Sequence, residues 1–138
     1  ADSVHLAMFP EVDPRWADAK LTERWEQLLE VRTAVQAALE VQRREKVIGA
    51  PLEARVLIDA HSAQYNLLKT YGQDLPAFFI VSDVVLQSAP DLPEKPGFVI
   101  TVEKATGVKC ERCWNYRRSV GTSSDHPTLC DRCVEAVR

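Results

Sequence analysis

Leu21, Trp25, Leu28, Val35 and Leu39 recur at intervals of three, four and seven residues, and the residues between them are largely charged or polar. That period puts them on one face of a helix. Asp13-Pro14 supplies an opening signal, since aspartate accepts from free backbone N–H groups and proline suits the first helical position. Gly49 and Pro51 supply the stop, so the pattern predicts a helix from about Pro14 to about Val47. Arg32 falls inside the stripe and reads as a paired structural residue at its edge, with no function assigned.

The period then changes. In LEARVLIDA, residues 52–60, Ala54, Val56, Ile58 and Ala60 alternate with Glu53, Arg55, Leu57 and Asp59, the signature of a half-buried strand. His61 to Tyr71 reads as a short helix ended by Gly72, and Phe78 to Leu86 as a second, β-branched and aromatic strand. SAPDLPEKPG, residues 88–97, holds three of the eight prolines and predicts a loop; FVITVEKA, residues 98–105, predicts a third strand. No internal repeat or low-complexity segment interrupts this order.

At 138 residues and 46% hydrophobic, the chain has the size and composition of a folded domain and not of a disordered one. The longest apolar run, LPAFFIV from Leu75 to Val81, is interrupted by Pro76 and too short to span a bilayer; it reads as a buried strand or core helix. With no export signal in view, a cytoplasmic protein without membrane contact is expected. The net charge of −3 is unevenly spread: residues 104–138 carry seven Lys/Arg and four Asp/Glu, against ten and sixteen in the rest. A basic tail on an acidic body fits a polyanionic partner for the tail, although so small a difference carries little weight alone.

All four cysteines lie in that tail, as the pairs Cys110/Cys113 and Cys130/Cys133 with sixteen residues between Cys113 and Cys130. This is the spacing of a zinc site. Each two-residue gap lets one tight turn aim both sulfurs at one ion, and two such turns complete a tetrahedron with Zn–S distances of about 2.3 Å. Four thiolates leave no position for an activated water, so one structural Zn2+ per chain is expected and no catalytic one. The 35 residues from Lys104 onward are too few for a hydrophobic core of their own, and a metal substitutes for one. Two disulfides, a redox C-x-x-C, or iron in the same four thiolates are the alternatives. His126 reads as a loop residue ahead of Pro127.

Between the pairs, Trp114, Tyr116, Arg117 and Arg118 stand beside the metal ligands, and Lys109 and Arg112 add charge. Aromatic faces stack on unpaired bases and guanidinium groups bind phosphates, a composition suited to single-stranded RNA loops. The other reading makes Trp114 the small core of the knuckle and leaves the arginines solvated. Composition does not choose between them.

KCERCW followed by HPTLCDRCV resembles the zinc-binding C-terminal end of bacterial-type isoleucyl-tRNA synthetases. SVHLAMFPE (3–11), KVIGAPLEARV (46–56), FIVSDV (79–84) and the strand before Lys109 resemble the preceding segments of the same enzymes, in the same order. The resemblance covers nearly the whole chain, though the helix matches mainly in character. It implies a piece of a multidomain ligase that joins isoleucine to tRNA(Ile) using ATP. The family's HIGH and KMSKS signatures are not present in these residues, so no catalytic residue and no ATP binding is expected here. In the family this region lies at the anticodon end of the tRNA. The resemblance thus implies metal ligation by Cys110, Cys113, Cys130 and Cys133, and tRNA contact by Lys109, Arg112, Trp114, Arg117 and Arg118. Its partners would be tRNA(Ile) and the remaining domains of the parent enzyme, and it implies a monomer. A zinc-finger module of DNA-glycosylase type and a protein-interaction zinc ribbon are the rivals; glycosylases of the formamidopyrimidine type end in a similar finger, but their upstream segments do not fit.

The expected fold is α+β: an extended segment and long N-terminal helix in residues 1–50, a small mixed strand-helix-strand unit in 51–105, and a four-cysteine zinc ribbon in 106–138.

Overall fold

The computed structural model describes residues 3–137; Ala1, Asp2 and Arg138, at the ends of the expected 1–50 and 106–138 segments, lie outside the described residues. The fold is α+β. A long helix α1 (Ala19–Arg44) is followed by strand β1 (Ala54–Ala60), helices α2 (Ser62–Thr70) and α3 (Leu75–Phe79), and strands β2 (Asp83–Ser88) and β3 (Phe98–Lys104). A two-stranded ribbon, β4 (Val108–Lys109) and β5 (Tyr116–Arg117), and a short helix α4 (Asp131–Val137) complete the chain. Among the described residues no helix is long and apolar enough to cross a membrane.

The long helix starts later than the sequence predicts. Asp13-Pro14 opens only a single 3-10 turn, Pro14–Trp16, in which the Asp13 carboxylate accepts from the backbone N–H and the guanidinium of Arg15. The chain is then extended through Ala17, and Asp18 caps the helix proper by accepting the Leu21 N–H at 3.0 Å. The helix also stops ahead of Gly49. Lys46 takes a left-handed conformation (φ 60°), and the Val47 N–H returns to the Gln42 carbonyl at 3.0 Å, which closes the last turn. Pro51 belongs to a separate 3-10 turn, Pro51–Glu53.

The buried face of α1 is Leu28, Val31, Val35 and Leu39. Leu21 and Trp25, expected in that stripe, remain 39% and 40% exposed, because the helix runs past the edge of the unit it packs on. Trp25 still meets the rings of Tyr71 and Phe78, with centroids 6.1 and 5.5 Å away. Among the described residues Arg32 has no ion-pair partner; its guanidinium lies over the Phe78 ring, 5.5 Å from the centroid.

The strand alternation of residues 54–60 is realised in full: Ala54, Val56, Ile58 and Ala60 are buried and the residues between them are half-buried. β1 is the central strand, parallel to β2 on one side and antiparallel to β3 on the other, with Ile58 opposite both Leu86 and Ile100. The expected strand from Phe78 begins only at Asp83. LPAFFIV instead forms α3 and a left-handed residue, Ile80 (φ 60°), ahead of the strand. Pro76 decides this: its fixed φ suits a first helical turn and it has no N–H for a ladder. Four residues apart on one turn, Leu75 and Phe79 are both buried, an arrangement strand geometry would also allow but Pro76 disfavours. One apolar cluster therefore joins α1, β1, α2 and α3, from Leu28 to Val81, and a second is built around three of the cysteines.

Candidate metal centre

β4 ends at Lys109, and the chain then turns back on itself within five residues. Cys110 N–H donates to the Asn115 carbonyl at 2.9 Å, and Trp114 N–H donates to the Cys110 carbonyl at 2.9 Å. Trp114 closes that turn in the left-handed region (φ 65°). The second pair is shaped by the start of α4, where Cys133 N–H and Val134 N–H both reach the Cys130 carbonyl at 2.9 Å. Glu111 N–H to the Thr128 carbonyl, 3.2 Å, ties one knuckle to the other.

These turns bring the four sulfurs within 4.8 Å of one another. A tetrahedral ion with Zn–S bonds of about 2.3 Å needs sulfurs about 3.8 Å apart, and Cys113 Sγ and Cys130 Sγ are 3.7 Å apart. The same separation is far beyond the roughly 2.05 Å of a disulfide, and all four cysteines are free. Cys110, Cys130 and Cys133 are buried and Cys113 is partly so, with Val120 and Leu129 packed around them. The surroundings favour anionic sulfur on one side of the cluster. Cys130 N–H points at Cys110 Sγ, 3.4 Å away, and Arg112 Nη1 at Cys133 Sγ, 3.8 Å away. Burial opposes the Cys110 thiolate, but backbone N–H groups of Cys113, Cys130 and Arg112 outweigh it and hold that thiol at about 6. Burial pushes the Cys130 thiol up, to about 12. Four convergent thiols, with no fifth donor among the described residues, suit a closed structural site holding one soft or borderline ion.

The basic and aromatic residues singled out in the sequence separate into three groups. Lys109 Nζ lies 5.3 Å from the centroid of the Trp114 ring, and Trp114 is 61% exposed, so it is not the core of the knuckle. Arg112 turns inward to the Cys133 sulfur. Arg117, on β5, and Arg118, just after it, are exposed on the flank facing the sheet unit. His126 is not among the clustered ligands.

The sequence reading missed the joint that fixes this flank. Ser82, just before β2, is 1% exposed; its hydroxyl donates to the Leu52 carbonyl at 2.5 Å and accepts the Tyr116 N–H at 2.7 Å. A serine in an apolar stretch carries no sequence signal for that role, since both partners are at least thirty residues away.

Residues 107–136 match the family described as a zinc finger found in FPG and IleRS. Over 99% of its length the chain is 48% identical to the isoleucine–tRNA ligase of Syntrophotalea carbinolica and 45% identical to that of Geobacter sulfurreducens. Over 96% of its length it is 46% identical to that of Symbiobacterium thermophilum. It spans about 15% of the length of each of these relatives. A finger of this kind is common to two groups of proteins, but the match extends through α1 and the three-stranded sheet to the ligases. The chain therefore belongs, as a piece about 15% of their length and bearing their zinc finger, with the bacterial isoleucine–tRNA ligases.

Proposed function

We propose that this chain is the tRNA-binding, anticodon-end module of a cytoplasmic, monomeric isoleucine–tRNA ligase, whose ATP-dependent joining of isoleucine to tRNA(Ile) takes place on other domains. Cys110, Cys113, Cys130 and Cys133 ligate one zinc ion. When bound, that ion supplies no chemistry beyond crosslinking the two knuckles. The chain's own residues do the rest. Turned toward solvent by its left-handed backbone, Trp114 offers a face for an unpaired base, and Lys109 keeps a positive charge over the same ring. Arg117 and Arg118 bind phosphates, while Arg112 divides its charge between the RNA and the Cys133 sulfur. Residues 1–50 serve as the dock onto the preceding domains, 51–105 as spacer and 106–138 as tip.

The observation that carries this reading is the exposed Trp114 ring beneath an ammonium group at the edge of a four-thiol cluster. The whole-length match to ligases favours it over a glycosylase-type or protein-interaction finger. Its test is binding of isoleucine tRNA to the zinc-loaded chain across a salt series, with the double variant Arg117→Ala/Arg118→Ala. Weaker binding and a salt slope shallower by about 1.4 are expected, because each phosphate neutralised on a single strand adds about 0.7 to the slope and the variant neutralises two fewer. An unchanged slope would remove these arginines from the interface.

A further inference from the structure

The finger does not meet the sheet unit flush. Between them lies a cleft of about 330 Å³, lined by Arg55 and Asp83 from the sheet, Thr106 from the linker, and Tyr116, Arg117 and Arg118 from the finger, with Ser82 at its floor. Three guanidinium groups line it against one carboxylate, so it carries a positive excess. The groups are also incompletely used. Arg55 Nε lies 3.2 Å from Asp83 Oδ2, but its N–H is not aimed at that oxygen and reaches no acceptor in hydrogen-bonding geometry among the described residues. Arg118 Nε donates one long hydrogen bond, 3.4 Å to Thr106 Oγ1, and no other among the described residues.

The walls are held rigidly. Tyr116 is fixed by its N–H to buried Ser82, and Gly107 presses its backbone on that of Arg117 so closely that a Cβ there would lie 2.5 Å from the Arg117 carbonyl carbon. Gly107 also takes φ 102°, so that close approach needs glycine. Guanidinium groups supplied from two sides of a rigid cleft make a tetrahedral-anion site, because a phosphate accepts from several N–H groups at once.

We propose that this cleft is a phosphodiester subsite for single-stranded RNA, in which Arg55, from the sheet, and Thr106, at the finger's boundary, act with Arg117 and Arg118. The identity of the strand rests on the tRNA reading above; the anion site rests on the cleft itself. One phosphate is held between Arg55 and Arg117, with Thr106 Oγ1 and Arg118 on its open side, and the half-buried Tyr116 ring borders the adjoining sugar. Asp83 competes with the phosphate for Arg55 and so weakens the site it helps to build.

The test uses the zinc-loaded chain and a dinucleoside monophosphate, which carries one phosphodiester, followed by NMR at the Tyr116 and Arg117 amides and the Arg55 Nε–H. Titration should shift those signals. Arg55→Gln should weaken dinucleotide binding about fivefold, the effect of removing one partly exposed ionic interaction, and make the tRNA salt slope shallower by about 0.7. Asp83→Asn should tighten binding two- to fivefold, a change in a direction that no folding defect produces. Absence of shifts at the cleft, or equal dinucleotide affinity in both variants and the parent, would overturn the subsite. Should the dinucleotide bind the cleft while tRNA does not bind, the subsite stands and the tRNA reading falls. If tRNA binds but neither variant alters its affinity or slope, the reverse holds.

Discussion

Ser82 Oγ accepts the Tyr116 N–H at 2.7 Å, joining the start of a sheet strand to the ribbon of the zinc finger across 34 residues of chain. The same hydroxyl donates a hydrogen bond to the Leu52 carbonyl, so one buried side chain satisfies backbone groups from two parts of the fold. Ser82→Ala leaves both without a partner, at a cost of about 1–3 kcal/mol for each group that stays buried and unpaired. A lower denaturant midpoint is expected, with faster hydrogen exchange of the Tyr116 amide than in the parent. Unaltered exchange at that amide would show that the joint does not hold the finger.

Removal of the metal should unfold the two parts unequally. The cysteine cluster is separate from the apolar cluster between α1 and the sheet, and metal-bound knuckles of this size depend on their ion for folding. Chelation, or Cys130→Ser, should collapse exchange protection in residues 108–134 while leaving that of β1 in place. Loss of protection at Val56 and Ile58 to the same extent would mean that the parts fold as one.

Acid should release the metal. A thiol must lose its proton to bind, and burial pushes Cys130 up, to about 12, so its proton is displaced by the incoming ion throughout the neutral range. Protons thus compete with zinc, and apparent affinity falls as pH falls. A competition titration with a chromophoric chelator between pH 8 and 6 measures the slope; a flat profile would count against thiolate ligation.

Ile58 is wholly buried at the centre of the middle strand, opposite Leu86 and Ile100. Ile58→Ala should cost about 2–5 kcal/mol. Chemical denaturation checks it, and the zinc content of the folded protein should not change.

Trp114→Ala separates stability from binding. Because Trp114 is 61% exposed, the truncation should leave the stability within about 0.5 kcal/mol of the parent. It should weaken RNA binding by about 1–3 kcal/mol, the contribution of one stacked base. A large loss of stability with unchanged binding would invert the assignment of this ring.

How legible each part was depended on the distance over which its determinants act. The alternation of Ala54, Val56, Ile58 and Ala60 is local, and β1 came out with the predicted face buried. The cysteine spacing is likewise local, and it brought the four sulfurs together. LPAFFIV was ambiguous because a buried helix turn and a buried strand share an apolar run, and Pro76 is a sharper signal than the aromatic content that favoured a strand. The start of α1 was blurred because two aspartates, Asp13 and Asp18, each accept a backbone N–H as a cap, and only the second opens the long helix. Arg55, Ser82 and Thr106 had no signal at all, because each matters only beside groups far away in sequence.

With 26 residues α1 is about 39 Å long, yet its buried positions begin only at Leu28. Trp25 already meets Tyr71 and Phe78, so the stretch from Ala19 to Arg24 is a stiff shaft continuous with the core, and it fixes orientation as well as distance. Inserting one residue there would turn everything beyond it by about 100° and advance it about 1.5 Å relative to any body gripping the first turns. Inserting four would leave a rotation of only about 40° while lengthening the shaft by about 6 Å. On the proposed docking of residues 1–50, the direction in which the finger points is therefore set by a residue count far from the finger itself.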